Sequence, residues 1–211
     1  MDVFFTDKLD LLSDFADQSH RLAIFQREEP DDASMFFQSL MKTTFRVSGK
    51  LSKATAVDDI RAILGKDIPS DVQRNPFYEV WLKDMADVSS LFCDVEKDDA
   101  ISIWIGSKRG CTRYHVDIVP QRLLVTYAGR GTEWLPDEAA DWKAYSTGEP
   151  NEKIIKDPAA RRYIGQWDVA IFRGGQHGLL HRTPDEALNG PSVLSLIHIS
   201  EPTRLGMRAY A

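Results

Sequence analysis

The pattern of apolar residues changes near the middle of this chain, and that change limits the folds open to it. In residues 1–99 apolar side chains recur at helical spacing, with the longest predicted helix at 76–95 and Asn75 as its N-cap. From Ala100 onwards, short apolar runs alternate with glycine-containing turns, a pattern typical of β-strands. Helices followed by short strands predict an α+β protein built around a β-sandwich or barrel.

The individual elements follow from the same periodicities. In the first half, we expect helices at 5–16, 31–41 and 55–65 and a strand at 21–26. In the second half, the predicted strands are 100–105, 111–119, 122–127, 132–136, 167–173 and 178–182.

Composition limits the class of protein and its partners. The 211 residues are 43% hydrophobic and 27% charged, as in an ordinary globular protein of one domain. A formal net charge of −6 argues against nucleic acid as a partner. No apolar run is long enough to span a membrane, and no leader peptide opens the chain. Two cysteines without a CxxC motif do not make a disulfide framework, so we expect a cytoplasmic protein.

The last 18 residues have an unusual sequence, beginning LSLIHISEPTR at Leu194. This string resembles the translation of a transposase adapter used in sequencing libraries, and a native terminal strand is the alternative. We therefore predict that 1–193 is a single domain, with a helix-rich layer at 1–99 and a β core at 100–193. Residues 194–211 are then non-native read-through, and the last strand of the core is truncated.

The stretch CTRYHVD contains the strongest signal for function. In a strand, residues i and i+2 project from the same face, so His115 and Asp117 can direct an imidazole and a carboxylate to one point. A second histidine would complete a two-histidine, one-carboxylate site, which suits non-haem Fe(II). The candidates are His177 and His181, and we favour His181 because it ends an apolar strand just before a turn at RTP. The alternative is an ordinary polar pair beside a hydrogen-bonded histidine.

The wider context of this motif resembles a known fold. The segments HVD, RLLVTYAGRGTEWLP and WDVAIFRGGQHGLLHRTP are similar to the core of the double-stranded β-helix (cupin-like, jelly-roll) oxygenases that use Fe(II) and 2-oxoglutarate. This resemblance implies that His115, Asp117 and His181 are iron ligands. We expect the partner to be a small-molecule substrate or a metal.

A closer resemblance is to a bacterial family called domain of unknown function 1826, through CTRYHVD, RLLVTYAGRGTEWLPDEA and GLLHRTP. It extends over most of residues 20–193 and brings no established activity. An association of this family with metal-homeostasis genes would favour zinc over iron.

One departure from the oxygenase pattern concerns the cosubstrate. Those enzymes place an arginine about ten or more residues after the distal histidine, where it pairs with a carboxylate of 2-oxoglutarate. Here the only arginine between His181 and Val193 is Arg182, which is too close. Arg122 and Arg173 would substitute for it if they point inward, and Tyr127 would orient a ligand; exposed charges are the alternative for the two arginines.

Three functions remain open at this point. The first is an Fe(II)-dependent oxygenase, and the second is a zinc-binding protein of metal homeostasis without oxygenase activity. The third is a binding module that holds no metal. Cys111, four residues before His115, would favour zinc as a ligand, but a regular strand places it about 13 Å away. We therefore expect a structural cysteine there.

Overall fold

The computed structural model describes residues 3–199. Within this range the strands are β1 (Val3–Thr6), β2 (Leu22–Phe25), β3 (Arg46–Ser52), β4 (Ala100–Gly106), β5 (Gln121–Ala128), β6 (Glu133–Trp134), β7 (Arg162–Tyr163), β8 (Val169–Arg173), β9 (His181–Arg182) and β10 (Val193–His198). The α-helices are α1 (Ala33–Leu40), α2 (Ala56–Leu64), α3 (Ser70–Gln73), α4 (Pro76–Glu96), α5 (Trp142–Ser146), α6 (Asn151–Ile154) and α7 (Asp185–Asn189). Among the described residues, every helix is too short or too polar to cross a bilayer.

Two sheets organise the protein, which is a mixed helix-and-sheet structure as the α+β prediction expected. The large sheet has seven strands in the order β1-β2-β8-β5-β10-β4-β3, and all its pairs are antiparallel except β1 with β2. The small sheet has the order β7-β6-β9, and an isolated antiparallel bridge between His115 and His181 extends it beyond β9.

Helix α4 forms the centre of the layer that covers one face of the large sheet. Its start follows the sequence prediction, because the Asn75 side chain accepts a hydrogen bond from the backbone N–H of Phe77 at 2.9 Å and Pro76 occupies the first turn. The helix ends at Glu96, where Lys97 takes a left-handed conformation with φ of 54°. The aromatic side chains of α1 and α4 pack together and against Trp167 and the large sheet.

Alternation along the strands of the large sheet separates two hydrophobic layers. On β5, Leu123, Val125 and Tyr127 face the helices, whereas Leu124 belongs to the apolar layer that lies against the small sheet. Side chains of the large sheet that lie on the same face as this second layer point into the space between the two sheets. The buried members of this layer are Leu22, Ile24, Leu124, Trp134, Ile164, Ala170, Phe172, Leu179 and Leu194.

Strand β10 occupies a central position that the sequence did not predict. It lies between β5 and β4 and pairs with both, with Leu196 opposite Leu124 and Trp104. Without the apolar run after Val193, β5 and β4 would each have an unpaired edge within the sheet, so residues 194–198 complete the large sheet. That the native last strand is truncated after Val193 stays a prediction. Whether residues 194–211 are native concerns their origin and stays a prediction; residues 200–211 lie outside the described range.

Other differences from the sequence predictions are local. The segment 111–119 is irregular and pairs only at His115, because the chain must cross there from the large sheet to the small one. The first predicted helix is a 3₁₀ helix at Leu9–Asp17, preceded by β1. Strand β3 was missed because its apolar residues are few and it lies at the edge of the sheet.

Candidate metal centre

Three side chains meet in the space between the two sheets. His115, Asp117 and His181 each offer one ligand atom, and these atoms lie within 4.8 Å of one another. His181 Nε2 is 3.4 Å from Asp117 Oδ2, and the two imidazole centroids are 4.5 Å apart. The structure therefore brings together the three residues that the sequence predicted as metal ligands.

Backbone pairing positions the two histidines. The N–H groups of His115 and His181 each donate to the other's carbonyl oxygen at 3.0 Å, so the two residues stand directly opposite in an antiparallel bridge. Paired residues project from the same face of a sheet, which places both rings side by side. His181 also pairs with Trp134 of β6, so the ring is anchored to the small sheet from both sides.

Asp117 is held by the backbone that follows the bridge. Its carbonyl oxygen accepts a hydrogen bond from Gly175 N at 2.8 Å, and the absence of a side chain at Gly174 lets the chain approach closely. The Asp117 side chain is 6% exposed, and its Oδ1 lies 2.9 Å from Arg122 Nε. Within residues 3–199, Asp117 Oδ2 is buried without a hydrogen-bond partner.

The tautomers of the two histidines follow from their neighbours. His115 Nδ1 lies 3.1 Å from the Arg113 carbonyl oxygen, and His181 Nδ1 lies 2.9 Å from that of Leu179. A carbonyl oxygen can only accept, so each Nδ1 must bear the proton. The lone pair of each Nε2 is then available to a metal ion, and this carbonyl–imidazole arrangement is typical of metal-binding histidines.

The electrostatics of the site favour the protonation states that bind metals. Burial lowers the pKa of His115 to about 4, and the neighbouring His181 acts in the same direction. Burial opposes ionisation of Asp117, but His181, Arg122 and His115 outweigh it and hold the pKa of the carboxyl well below its usual range. At neutral pH the site thus offers a neutral imidazole and a carboxylate.

The three residues fit a divalent transition-metal ion. Imidazole nitrogen and carboxylate oxygen bind such ions at about 2.0–2.2 Å, so two donors on one ion lie at most about 4.3 Å apart. The 3.4 Å separation between His181 and Asp117 is within this limit, and the group as a whole spans at most 4.8 Å. Small side-chain movements therefore suffice for coordination, and Asp117 Oδ2 would gain the partner that it lacks.

Only one of the three side chains suggested for cosubstrate binding lies beside this group. Arg122 is 14% exposed and contacts Asp117. Tyr127 lies on the helix side of β5, where its hydroxyl donates to Asp84 at 2.8 Å and its ring packs on Phe37. The sequence alone could have shown that Arg122 and Tyr127 do not both reach the centre, because residues five apart on one strand point to opposite faces.

Arg173 and the unselected histidine also lie away from the centre. Arg173 projects to the helix side of the large sheet, where it donates to the carbonyl oxygens of Phe15, Gln18 and His20. His177 is exposed in a 3₁₀ turn and is not part of the three-residue group.

A buried polar cluster lies on the outer face of the small sheet. Glu133, which is fully buried, accepts hydrogen bonds from the Tyr114 hydroxyl and from Arg182, the latter at 3.1 Å. Arg182 also pairs with Asp185 at 2.9 Å. Tyr114 directly precedes His115 in the chain, and Arg182 directly follows His181. Because Glu133 bonds to both neighbours, it connects the two segments that carry the candidate ligands. Alternation along a strand could have predicted the positions of Tyr114 and Arg182, because the chain neighbours of inward-facing residues point to the outer face.

Fold and site together define the class: a mixed α/β protein with two facing sheets and a candidate mononuclear metal centre. The chain belongs to the family described as "Protein of unknown function (DUF1826)", whose profile matches residues 6–197. The resemblance to this family is thereby confirmed. A comparison with curated proteins finds none that matches.

Several solved structures are similar to this chain at low identity. The Fe(II)/(alpha)ketoglutarate-dependent dioxygenase TqaL is 12% identical with a TM-score of 0.47, covering 94% of this chain and 88% of its own. A bsmA homolog from Methylobium petroleophilum PM1 is 10% identical with a TM-score of 0.43, covering 86% and 91%. A full-length Neurospora crassa protein solved with alpha-KG and 5-formyluracil is 9% identical with a TM-score of 0.38, covering 94% and 83%.

Proposed function

We propose that this protein is a non-haem Fe(II)-dependent oxygenase of the 2-oxoglutarate type, with His115, Asp117 and His181 as the metal ligands. One observation supports this above all others. Two imidazole Nε2 atoms with free lone pairs converge in a buried space with a carboxylate oxygen that has no hydrogen-bond partner among residues 3–199. Two histidines and one carboxylate leave several coordination positions open, which is the arrangement that suits iron chemistry with small molecules.

The order of the strands supports a double-stranded β-helix as the finer description of the fold. Strand β4 lies in the large sheet, the bridge at His115 that follows it lies in the small sheet, and β5 lies in the large sheet again. The chain then forms β6 and β7 in the small sheet, β8 in the large, β9 in the small and β10 in the large. This gives four segments in each of two facing sheets, with the candidate ligands between them.

Each residue around the centre has a distinct part in the proposed chemistry. Bound Fe(II) would supply the oxidation of a substrate by O₂ coupled to decarboxylation of a 2-oxo acid. Arg122 orients Asp117 through the 2.9 Å contact and places a positive charge beside the site, which favours an anionic cosubstrate. The Phe172 ring, with its centroid 4.6 Å from that of His181, helps to exclude water.

The test measures metal content and turnover on the same preparations. We expect the protein to bind one Fe(II) per chain and, in air, to convert 2-oxoglutarate to succinate with consumption of O₂. Asp117→Asn should lose both properties, whereas His177→Ala, which changes an exposed histidine, should keep both.

The other outcomes of this experiment separate the alternatives. A tightly held zinc ion without 2-oxoglutarate turnover would replace the oxygenase by a zinc-binding protein of metal homeostasis. A metal content that does not change in Asp117→Asn would remove the metal centre from the proposal altogether.

A further inference from the structure

The segment that carries His115 forms one edge of the small sheet. Its inner side pairs with β9 through the two backbone hydrogen bonds between His115 and His181. In the described part of the chain, no strand pairs with its outer side. Tyr114, the residue before His115, is fully buried, so its backbone N–H needs a partner within the protein. The outer side of this segment therefore needs a substitute for a neighbouring strand.

The side chain of Asn151 provides that substitute. Asn151 is the first residue of α6, and its Oδ1 accepts a hydrogen bond from the backbone N–H of Tyr114 at 3.0 Å. Its Nδ2 donates to the carbonyl oxygen of Thr112 at 2.9 Å. A side-chain amide carries the same donor and acceptor as a peptide group, so one residue satisfies both backbone groups. The two partners also fix the orientation of the amide, because an N–H only donates and a carbonyl oxygen only accepts.

The turn that presents Asn151 is itself held in place from both sides. Before α6, the carbonyl oxygen of Gly148 accepts a hydrogen bond from the Arg113 guanidinium at 3.2 Å. At the end of α6, the carbonyl oxygen of Ile154 accepts one from the backbone N–H of Asp141 at 2.7 Å, and the Ile154 side chain is fully buried. The Asn151 amide is thus fixed relative to the segment that it contacts.

A single peptide group connects Asn151 to the candidate ligand His115. Asn151 accepts from the N–H of Tyr114, and the carbonyl of that same peptide unit is the carbonyl of Arg113. This carbonyl oxygen lies 3.1 Å from His115 Nδ1 and accepts its proton. In a planar trans peptide the N–H and the C=O point in opposite directions, so a partner that fixes one end also fixes the other. Asn151 and the imidazole therefore hold the two ends of one rigid group.

An irregularity in the strand pairing gives the Arg113 carbonyl oxygen to the imidazole. Regular antiparallel pairing beyond the bridge would place Thr183 opposite Arg113. Instead, the backbone N–H of Thr183 donates to the carbonyl oxygen of Cys111 at 2.7 Å. The plane of the 113–114 peptide is therefore held by Asn151 and His115 and not by a ladder hydrogen bond from β9.

We propose that Asn151 is a positioning residue of the candidate metal centre, which acts on His115 through the peptide between residues 113 and 114. The amide fixes the plane of that peptide, and the peptide carbonyl holds the proton on Nδ1 and leaves the Nε2 lone pair for the metal. A hydrogen bond to the N–H also strengthens the carbonyl as an acceptor, because neighbouring hydrogen bonds polarise one another. This role rests on the proposed metal centre, but the ring of His115 can be observed in the metal-free protein.

The first test observes His115 in the whole protein after metal has been removed. NMR of the imidazole nitrogens reports which ring atom bears the proton, and the His115 signals are identified from their loss in His115→Gln. We expect one fixed Nδ1–H tautomer in the unchanged protein. In Asn151→Ala the signals should shift towards an average of the two tautomers, because the 113–114 peptide is no longer held. Asn151→Asp keeps an acceptor for the Tyr114 N–H, so it should keep the fixed tautomer.

The second test measures affinity for Co²⁺ by competition with a chromophoric chelator. Asn151→Ala should weaken the affinity about 10-fold, the lower end of the range for residues that support a ligand, and Asn151→Asp should restore it to within about threefold. Asn75→Ala is the matched control, because the Asn75 side chain also accepts from a backbone N–H at 2.9 Å, but at the start of α4. It should lower stability and leave the His115 signals and the Co²⁺ affinity unchanged.

The outcomes separate this role from the oxygenase function. A fixed His115 tautomer and unchanged Co²⁺ affinity in Asn151→Ala would overturn it, as would equal effects of Asn75→Ala. Loss of the fixed tautomer in a protein that does not turn over 2-oxoglutarate would support the role of Asn151 and remove the oxygenase. If Asn151→Ala does not fold, Asn151→Gln, which displaces the amide by one methylene group, should give the same changes.

Discussion

His115 and His181 are joined through their backbones by two hydrogen bonds of 3.0 Å, although they are distant in sequence. Each of these residues also uses its own imidazole Nδ1 to contact a nearby carbonyl oxygen. The orientation of both rings is therefore set before any metal binds. A preformed site of this kind loses little conformational entropy when it binds a metal ion.

His181→Ala should abolish specific metal binding, whereas His177→Ala should not. His181 is 5% exposed and faces Asp117, but His177 is exposed and lies outside the group. We expect the affinity for Co²⁺ or Fe²⁺ to fall by more than about 100-fold in His181→Ala, because changes to residues that only support ligands already cost about 10–100-fold. Competition with a chromophoric chelator measures this, and a larger loss in His177→Ala than in His181→Ala would contradict the assignment.

Glu133→Gln should destabilise the protein and also weaken metal binding. The change removes the charge that neutralises Arg182 and leaves the Tyr114 hydroxyl with a poorer acceptor. Breaking a buried ion pair from one side costs roughly 3 kcal/mol in the free energy of unfolding, and loss of support for the ligands should lower metal affinity about 10-fold or more.

The control for Glu133 is the other carboxylate on Arg182. The Asp185 side chain is 74% exposed, so Asp185→Asn should cost less than about 1 kcal/mol. Urea denaturation of the two variants compares them directly. Equal losses in the free energy of unfolding would mean that the burial of Glu133 is not the cause of the destabilisation.

Gly174→Ala should disturb Asp117 through the backbone. A methyl group at residue 174 would lie 2.0 Å from the Val119 carbonyl oxygen and 2.5 Å from that of Asp117, so the chain must move apart. We expect a loss of roughly 2 kcal/mol in stability and weaker metal binding. Gly110→Ala is the matched control, since no atom of the described residues lies within 4 Å of its added methyl group. A stable Gly174→Ala protein with unchanged metal affinity would show that this close approach is not needed.

Glu96 should make the protein less stable as the pH rises from about 4.5 to about 7. Burial, together with Asp98, raises the pKa of Glu96 to about 7, and its Oε1 is buried without a hydrogen-bond partner in the described residues. The folded state thus holds the proton of Glu96 more tightly than the unfolded state does. The loss of stability therefore begins as the pH rises above the pKa of the unfolded state and is complete above the pKa of the folded state. The position of Glu96 in the last turn of α4 adds to this loss, since negative charge is unfavourable there.

Glu96→Gln should therefore stabilise the protein at pH 8, by on the order of 1 kcal/mol because the group is partly solvated, and have little effect at pH 4. Glu79→Gln should have the opposite sign, because the hydrogen bond from Arg61 lowers the pKa of Glu79. Thermal unfolding across this pH range measures both. The prediction would be contradicted if Glu96→Gln stabilised the protein no more at pH 8 than at pH 4.

The sequence by itself determined the features that depend on local periodicity. Helix α4 with its Asn75 cap and strands β4, β5 and β8 follow from the spacing of residues along the chain. The same alternation placed His115 and Asp117 on one face, whereas the complete set with His181 was what the resemblance to the oxygenases implied. The sequence also favoured His181 over His177, because His181 ends an apolar run just before the turn at RTP.

The tertiary structure alone decided which faces and ends of the sheets meet. Periodicity places Tyr127 and Arg122 on opposite faces of β5, but only packing shows that the helices cover one face and the small sheet the other. The central position of β10 likewise depends on segments distant in sequence. The physical reason is that side-chain direction is set within a strand, whereas burial and charge compensation are set by whatever the rest of the chain brings against it.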